Sequence, residues 1–504
     1  MCRTASLTLV GLSCLFLGCG GGDASRVDVG AASPPPPEPA VSWLVTSGGE
    51  GTTYATGGAV GPDGCAVVVG DFNGMATFGR EGGTKETVVA DGSHDTFIAQ
   101  YDPTGGLLWA RACGGSDICS VTGVDVSPDG QVTAVGYFFD SITFDVADAG
   151  PTTLTTPVPG WEDGFVARLS SDGRVLWVEH ISTDSLAEVL SVVARADGSV
   201  VVAGIYDAPL TLGTGTSRVD LVPTGWWEGF LAAYAADGTL LWARSTSSLP
   251  GQGATMWALD AFADGSIAVA GDFEGTTSIG AQELTSVEGS QDSWMARYGP
   301  GGEFDWARSI GGAHRDQVFG IGACADETIR LAGDFISTST FGSLDGEPLV
   351  LTSLGVADGF VASYGPTGEV QWVQQIAGAG SNYIYDVCLT PDGCMHVIGF
   401  FTDAATLGIG QPAETTLESA GDGDTDVFIA GYGPDGTFGW ARRFGGTADD
   451  YGSGLCGFAG GSFLIAGSFQ GEATLGDPLD PEATVCACGD RDAFVGRLLS
   501  GGSR

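Results

Sequence analysis

The sequence predicts an all-β fold, a seven-bladed β-propeller of four-stranded antiparallel blades, and three observations predict it. One line of motifs returns seven times, with Trp43, Trp109, Trp177, Trp242, Trp306, Trp372 and Trp440 as its last member. Each return holds four short apolar runs of strand length, such as Ala66 to Val69. Asp-Gly and Thr-Gly turns of hairpin type stand between the runs. Trp43 and Trp109 stand 66 residues apart, and a period of that length with four strands per unit marks a propeller rather than a helical solenoid.

Within a unit the elements follow in order A to D. Strand A ends in a turn such as Pro62-Asp63-Gly64, Pro128-Asp129-Gly130 or Pro391-Asp392-Gly393. There the Asp side chain bonds the backbone and Gly supplies positive φ. Strand B closes on Gly-x-aromatic, at Gly70/Phe72, Gly136/Phe138, Gly204/Tyr206, Gly271/Phe273, Gly333/Phe335, Gly399/Phe401 and Gly467/Phe469. A Ser/Thr-apolar-Gly triplet, Thr77-Phe78-Gly79 in the first unit, lies in the long B–C loop that follows. Strand C opens on an acid two residues before an aromatic: Asp95, Asp163, Glu228, Asp292, Asp358, Asp426 and Asp492. A second turn, such as Pro103-Thr104-Gly105, leads into strand D and its tryptophan.

The two ends of the chain are complementary. Trp43 is a strand-D tryptophan with no A, B and C strands before it, and the last unit stops after strand C, Phe494 to Leu499. The strand around Trp43 is therefore expected to complete blade seven beside Phe494, closing the ring and leaving no open sheet edge.

The recurring Pro-Asp-Gly, Ala-Gly-x-Phe and Asp-x-Phe-Val-Ala elements, with the tryptophan and the Gly-Gly that follows it at Gly114-Gly115, Gly311-Gly312 and Gly445-Gly446, resemble the bacterial seven-bladed propeller repeats known as the SBBP repeat family. The resemblance covers residues 41–499. It implies the fold and an exported or surface module, and it implies no particular chemistry.

Three segments follow. Residues 1–18 read as a lipoprotein signal peptide: Arg3, then an apolar stretch from Leu7 to Leu17 too short to span a bilayer. Phe16-Leu17-Gly18-Cys19 resembles a lipobox, which makes Cys19 the lipidated first residue of the mature chain. Residues 19–40, with Pro34 to Pro37, read as a Gly/Pro-rich tether, and residues 41–504 as the propeller. Gly20 rather than Asp after the cysteine points to the outer membrane, so a bacterial cell-envelope protein is expected.

A net charge of −43 with one lysine, Lys85, excludes direct binding of nucleic acid or an anionic lipid surface, which needs clustered Lys and Arg. Membrane contact through the lipid anchor alone, and a monomer, are expected. No EF-hand loop is present, and Asp422-Gly423-Asp424-Thr425-Asp426 is a faint echo of one, so neither metal nor cofactor is expected. Cys388 and Cys394 flank a hairpin turn, and Cys113 and Cys119 bracket a blade-to-blade connection. Each pair is a candidate disulfide, with connectivity left open by spacing.

No catalytic residues stand out. His94, His180, His314 and His396 fall at different points of the repeat, and neither a Gly-x-Ser-x-Gly elbow nor a His-Glu-x-x-His helix occurs. The seven acids opening strand C recur in every unit, so they are read as structural bonds to backbone N–H groups. Ligand binding is expected on the face of the long B–C loops and D–A connections, where aromatics outside the repeat gather: Trp161, Trp226, Trp227, Trp257, Tyr383, Tyr385 and Tyr451. Such side chains stack on sugars or anchor a protein surface, or else shield blade ends. The expected function is a non-enzymatic scaffold for a protein or glycan. The alternative is a carbohydrate-active enzyme, a hydrolase or lyase, using acids on that face.

Overall fold

The structure is a computed structural model that describes residues 39–421, 423–475 and 484–499. The signal peptide, Cys19 and the tether up to residue 38 lie outside the described residues, as does Asp422. Seven antiparallel sheets form the blades, each in the order A-B-C-D. Blade one runs Thr53–Val60, Ala66–Phe72, Asp95–Tyr101 and Leu107–Cys113. The other inner strands are Cys119–Val126, Ala187–Ala194, Ala258–Ala261 with Gly253–Ala254, Asp316–Ala323, Asn382–Leu389 and Tyr451–Gly457.

Closure occurs as the sequence predicts. Ala40–Ser47 pairs antiparallel with Asp492–Leu499, setting Thr46 opposite Phe494, and becomes the outer strand of blade seven. Strands B and C read as continuous apolar runs because neighbouring blades cover both of their faces; Val67, Val69 and Phe72 have no exposed surface. The cores lie between blades, as where Val45, Leu464 and Val495 of blade seven meet Val68 and Phe97 of blade one. Each such large apolar side chain contributes about 1.5–3 kcal/mol by burial.

The B–C connections differ from the expected loops. Each one folds into a two-stranded hairpin, such as Met75–Phe78 with Glu86–Val89 or Ala404–Leu407 with Thr415–Glu418. The apolar residue of the triplet is buried against strand C, with Phe78 and Phe97 at 4.8 Å and Phe341 and Phe360 at 4.8 Å. The triplet threonine pairs across the hairpin, as Thr77 with Thr87 and Thr143 with Thr153, both at 2.9 Å. The same strand bridges to the end of strand D of the preceding blade, at Gly48–Thr77, Gly114–Thr143 and Ala377–Thr406. The hairpin is therefore a latch between blades.

A second latch sits on the opposite face. Trp43 Nε1 donates to the carbonyl of Pro103, and Trp109, Trp177, Trp306 and Trp372 donate likewise to the C–D turn of the next blade. The turn glycine must lack a side chain: Gly173 has φ 79°, and a Cβ there would lie 2.7 Å from the Trp109 ring. Blade seven draws its C and D strands from opposite ends of the chain, so no C–D hairpin turn meets Trp440. Its Nε1 has no partner among the described residues, and the ring stacks on Phe463 at 5.9 Å instead.

The strand-C acids act as expected. One carboxylate oxygen accepts the N–H of a residue in the preceding connection, as in Asp95 from Asp91, Asp292 from Val287, Asp358 from Leu354, Asp426 from Ala420 and Asp492 from Cys488.

Candidate functional site

The inner strands share a bulge that shapes the channel. An extra residue interrupts the A–B register between Ala55 and Gly57, Val121 and Gly123, Val189 and Ser191, Val318 and Gly320, Ile384 and Asp386, and Gly452 and Gly454. A bulge leaves one residue outside the ladder and re-aims its side chain. The bulged residues are Thr56, Thr122, Leu190, Phe319, Tyr385 and Ser453, and Trp257 takes the place in blade four, where the inner strand is broken. All seven line a central cavity of about 1100 Å³.

Side-chain type divides this ring. In blades seven, one and two the bulged hydroxyls donate to the next inner strand: Ser453 to Ala55 O at 2.5 Å, Thr56 to Val121 O at 2.6 Å and Thr122 to Val189 O at 2.5 Å. In blades four to six the position is aromatic, and the rings run together. Trp257 meets Phe319 at 6.1 Å, and Phe319 stacks on Tyr385 at 5.3 Å with planes 3° apart. Tyr385 then meets Phe400 at 5.4 Å, and Phe400 meets Tyr451 at 4.9 Å and Tyr383 at 5.2 Å. This arc stands near the start of the inner strands, at the channel end facing the B–C hairpins.

The arc is fixed from behind. Trp257 Nε1 donates to buried Asp272, which also takes bonds from Thr255 and Gln291. Arg315, bonded to Asp334 at 2.8 Å, lies 6.0 Å from the Tyr383 ring. Arg491 lies 4.8 Å from the Tyr451 ring and 5.6 Å from that of Tyr54.

The charged residues of the lining are all acidic. Asp71 accepts bonds from Ser120 Oγ at 2.7 Å and Val121 N at 3.1 Å, and burial pushes its carboxyl up to about 7. Glu188 is hydrogen-bonded to Glu162; burial first, then the Glu162 charge, pushes Glu188 up to about 7. Deeper in the channel Asp125, Asp260 and Asp386 bond the N–H groups of Ala194, Ala323 and Leu455 in the following blades, at 2.7, 2.8 and 2.8 Å. Burial raises them to about 6, 6 and 7.

Of the aromatics singled out from sequence, the structure brings together Trp257, Tyr383, Tyr385 and Tyr451. Trp226 and Trp227 form a separate pair on blade three, with ring centroids 6.0 Å apart, and Trp161 stands on blade two. Trp161 and Trp226 are 47% and 59% exposed, whereas Trp227 covers Gly253, where a Cβ would lie 2.6 Å from its ring. Phe319 and Phe400 complete the arc and were missed by the sequence reading. Phe319 shares its repeat phase with Tyr385, and Phe400 is the middle residue of a Gly-x-Phe motif that carries Asp71, Asp272 or Asp334 in other blades.

The cysteine pairs singled out from sequence are free thiols in the structure. The hairpin register sets Cys388 opposite His396 and leaves Cys394 in the turn, where its carbonyl accepts from Thr390. Cys119 is opposite Phe138 in blade two, while Cys113 is opposite Thr96 in blade one. His180 bonds Asp163 at 2.6 Å. Gln375 and Arg443 hold the same repeat position and bond Asp358 and Asp426, which identifies the His–Asp pair as part of the framework. Among the described residues no group of three or more His, Cys, Asp or Glu is arranged to hold a metal ion.

No family model matches the chain. It is 24% identical over 393 residues to an uncharacterized WD repeat-containing protein of Acanthamoeba polyphaga mimivirus, covering 67% of this chain and 28% of that protein. It is 27% identical over 153 residues to the regulatory protein FlaEY of Caulobacter vibrioides, covering 29% of this chain and 15% of that one. The chain thus spans well under half the length of these curated relatives. Among solved structures it is similar to the WD40 domain of Pan2 from Neurospora crassa, at 9% identity over 89% of this chain and 90% of that one, with a TM-score of 0.39.

Proposed function

We propose that the protein is a non-enzymatic binding propeller, lipid-anchored through Cys19 in a bacterial cell envelope, that takes part of a protein or glycan ligand into the channel mouth. The observation that carries this reading is the continuous arc from Trp257 through Phe319, Tyr385 and Phe400 to Tyr451. Four blades supply these rings at the opening of one cavity. Tyr385 is 43% exposed, a cost in exposed apolar surface that the framework does not require. Rigid aromatic faces beside polar groups are the usual anchors of a bound partner.

The enzyme reading finds its best support in Glu162 and Glu188. The two carboxyls are hydrogen-bonded to one another, closer than the roughly 5–9 Å that separates the acid and the base or nucleophile of glycoside hydrolysis. The pair suits a shared proton better than bond cleavage.

The test uses arrays of defined glycans and peptides. Binding lost in Phe319→Ala/Tyr385→Ala and kept in Trp226→Ala/Trp227→Ala supports the channel mouth; the reverse moves the site to the rim. Product release that disappears in Glu188→Gln would replace the binding reading with the enzymatic one. Metabolic labelling with a palmitate analogue, lost in Cys19→Ala, checks the anchor.

A further inference from the structure

The composition of the mouth narrows the ligand. Seven aromatic residues line the cavity, together with five carboxyl groups, Asp71, Asp125, Glu188, Asp260 and Asp386; no Lys, Arg or His is among the described lining residues. Aromatic faces carry negative electrostatic potential and attract cations placed over them. A cleft lined by one sign of charge and low-dielectric walls concentrates ligands of the opposite sign.

The molecule already uses the Tyr451 end of the arc, and Tyr383 beside Phe400, in this way. Arg491 sits between Tyr451 and Tyr54, and Arg315 lies over Tyr383. Among the described residues no cationic side chain covers Trp257, Phe319 or Tyr385, the stretch of the arc from blade four to blade six. An alkylammonium offers an apolar stem that matches the stacked Phe319–Tyr385 wall and a compact charged head that fits over a single ring.

We propose that the channel mouth binds an alkylammonium group, with its stem against Phe319 and Tyr385 and its charge balanced by Asp71 and Glu188. This rests on the reading of the mouth as the ligand site. The same group is offered by a free polyamine and by a lysine side chain of a partner protein. Burial holds Asp71 and Glu188 at about 7, so both are mostly ionised at pH 8.

The experiment is calorimetry at pH 8 in 150 mM salt, which screens the weak attraction of any cation to an acidic surface. Spermidine is compared with 1,8-octanediol, and a nonapeptide with one central lysine is compared with its norleucine counterpart. Circular dichroism melts confirm that each variant folds. Binding of at least one ammonium probe is expected, about tenfold tighter than its neutral partner. It should weaken about tenfold in Phe319→Ala/Tyr385→Ala and several-fold in Asp71→Asn/Glu188→Gln. Which ammonium probe binds identifies the source. Cellohexaose binding that depends on the arc, with no ammonium binding, overturns the ammonium inference and leaves the mouth as the site. Spermidine binding unchanged in both variants, with no probe sensitive to the arc, overturns both.

Discussion

The two halves of the channel wall use one backbone device for different ends. In blades seven, one and two the bulge presents Ser453, Thr56 and Thr122, and each hydroxyl fastens its inner strand to the next. In blades four, five and six the same bulge presents Trp257, Phe319 and Tyr385, and that hydroxyl tie is given up. Carboxyl ties remain there, Asp260 reaching Ala323 N and Asp386 reaching Leu455 N, as Asp125 reaches Ala194 N beside the Thr122 tie in blade two. The bulge itself is framework. The residue it aims into the channel is the free choice: three blades spend it on cohesion, three form a surface with it, and blade three places Leu190 there.

The hydroxyl half contains the closure, so the comparison breaks first if closure adds little. Deleting residues 41–47 removes the outer strand of blade seven and the Trp43 latch, and leaves Asp492–Leu499 as an open edge. Calorimetry should show a melting temperature lowered by more than about 10 °C, or no cooperative transition; an unchanged value would mean the ring does not depend on this strand. A smaller effect separates the halves directly. Ser453→Ala/Thr56→Val/Thr122→Val removes three part-buried ties and should cost about 3 kcal/mol in urea unfolding, near 1 kcal/mol for each bond. Phe319→Ala/Tyr385→Ala should cost about 1 kcal/mol, mainly the stacking of partly exposed rings. Equal losses would show that the aromatic half is as structural as the other.

The repeat made the framework legible. Seven tryptophans, seven strand-C acids and the unpaired ends dictated blade number, strand order and the partner of Trp43, because each recurs wherever the same backbone bond recurs. The B–C hairpins were harder to see: threonines such as Thr77 and Thr87 pair across a turn of varied length, so strand alternation was masked by Gly and charged residues between them. Trp257, Tyr383, Tyr385 and Tyr451 were recognisable as residues outside the repeat. Their union was not, since it depends on the bulge that turns Phe319 and Tyr385 into the channel and on Phe400, which sits inside a framework motif. Cys388 and Cys394 misled for a related reason: hairpin register decides which side chains face each other, and here it pairs Cys388 with His396, two residues beyond Cys394.

Acidity should reveal the carboxyl ties. Asp125, Asp260 and Asp386 have folded-state values raised by burial to about 6, 6 and 7, above the ordinary 3.8. Between about pH 4 and pH 7 the folded protein therefore holds protons that the unfolded chain has released, and stability falls as pH rises through that window. The turn aspartates Asp102, Asp129, Asp197 and Asp264 shift the other way, because hydroxyls of Thr104, Ser127, Ser199 and Ser266 bond their ionised form. Their contribution is present above the ordinary carboxyl range and is lost as pH drops below it. Melting temperature should thus peak near pH 5 and decline by a few degrees towards pH 8. In Asp260→Asn/Asp386→Asn, whose amide oxygens still accept the N–H bonds, the decline should flatten, while Asp125→Asn alone should flatten it less, because Thr122 holds the same joint. A melting temperature that climbs from pH 5 to pH 8 would mean the channel carboxyls are ionised throughout, and that the aromatic half is held together by its rings.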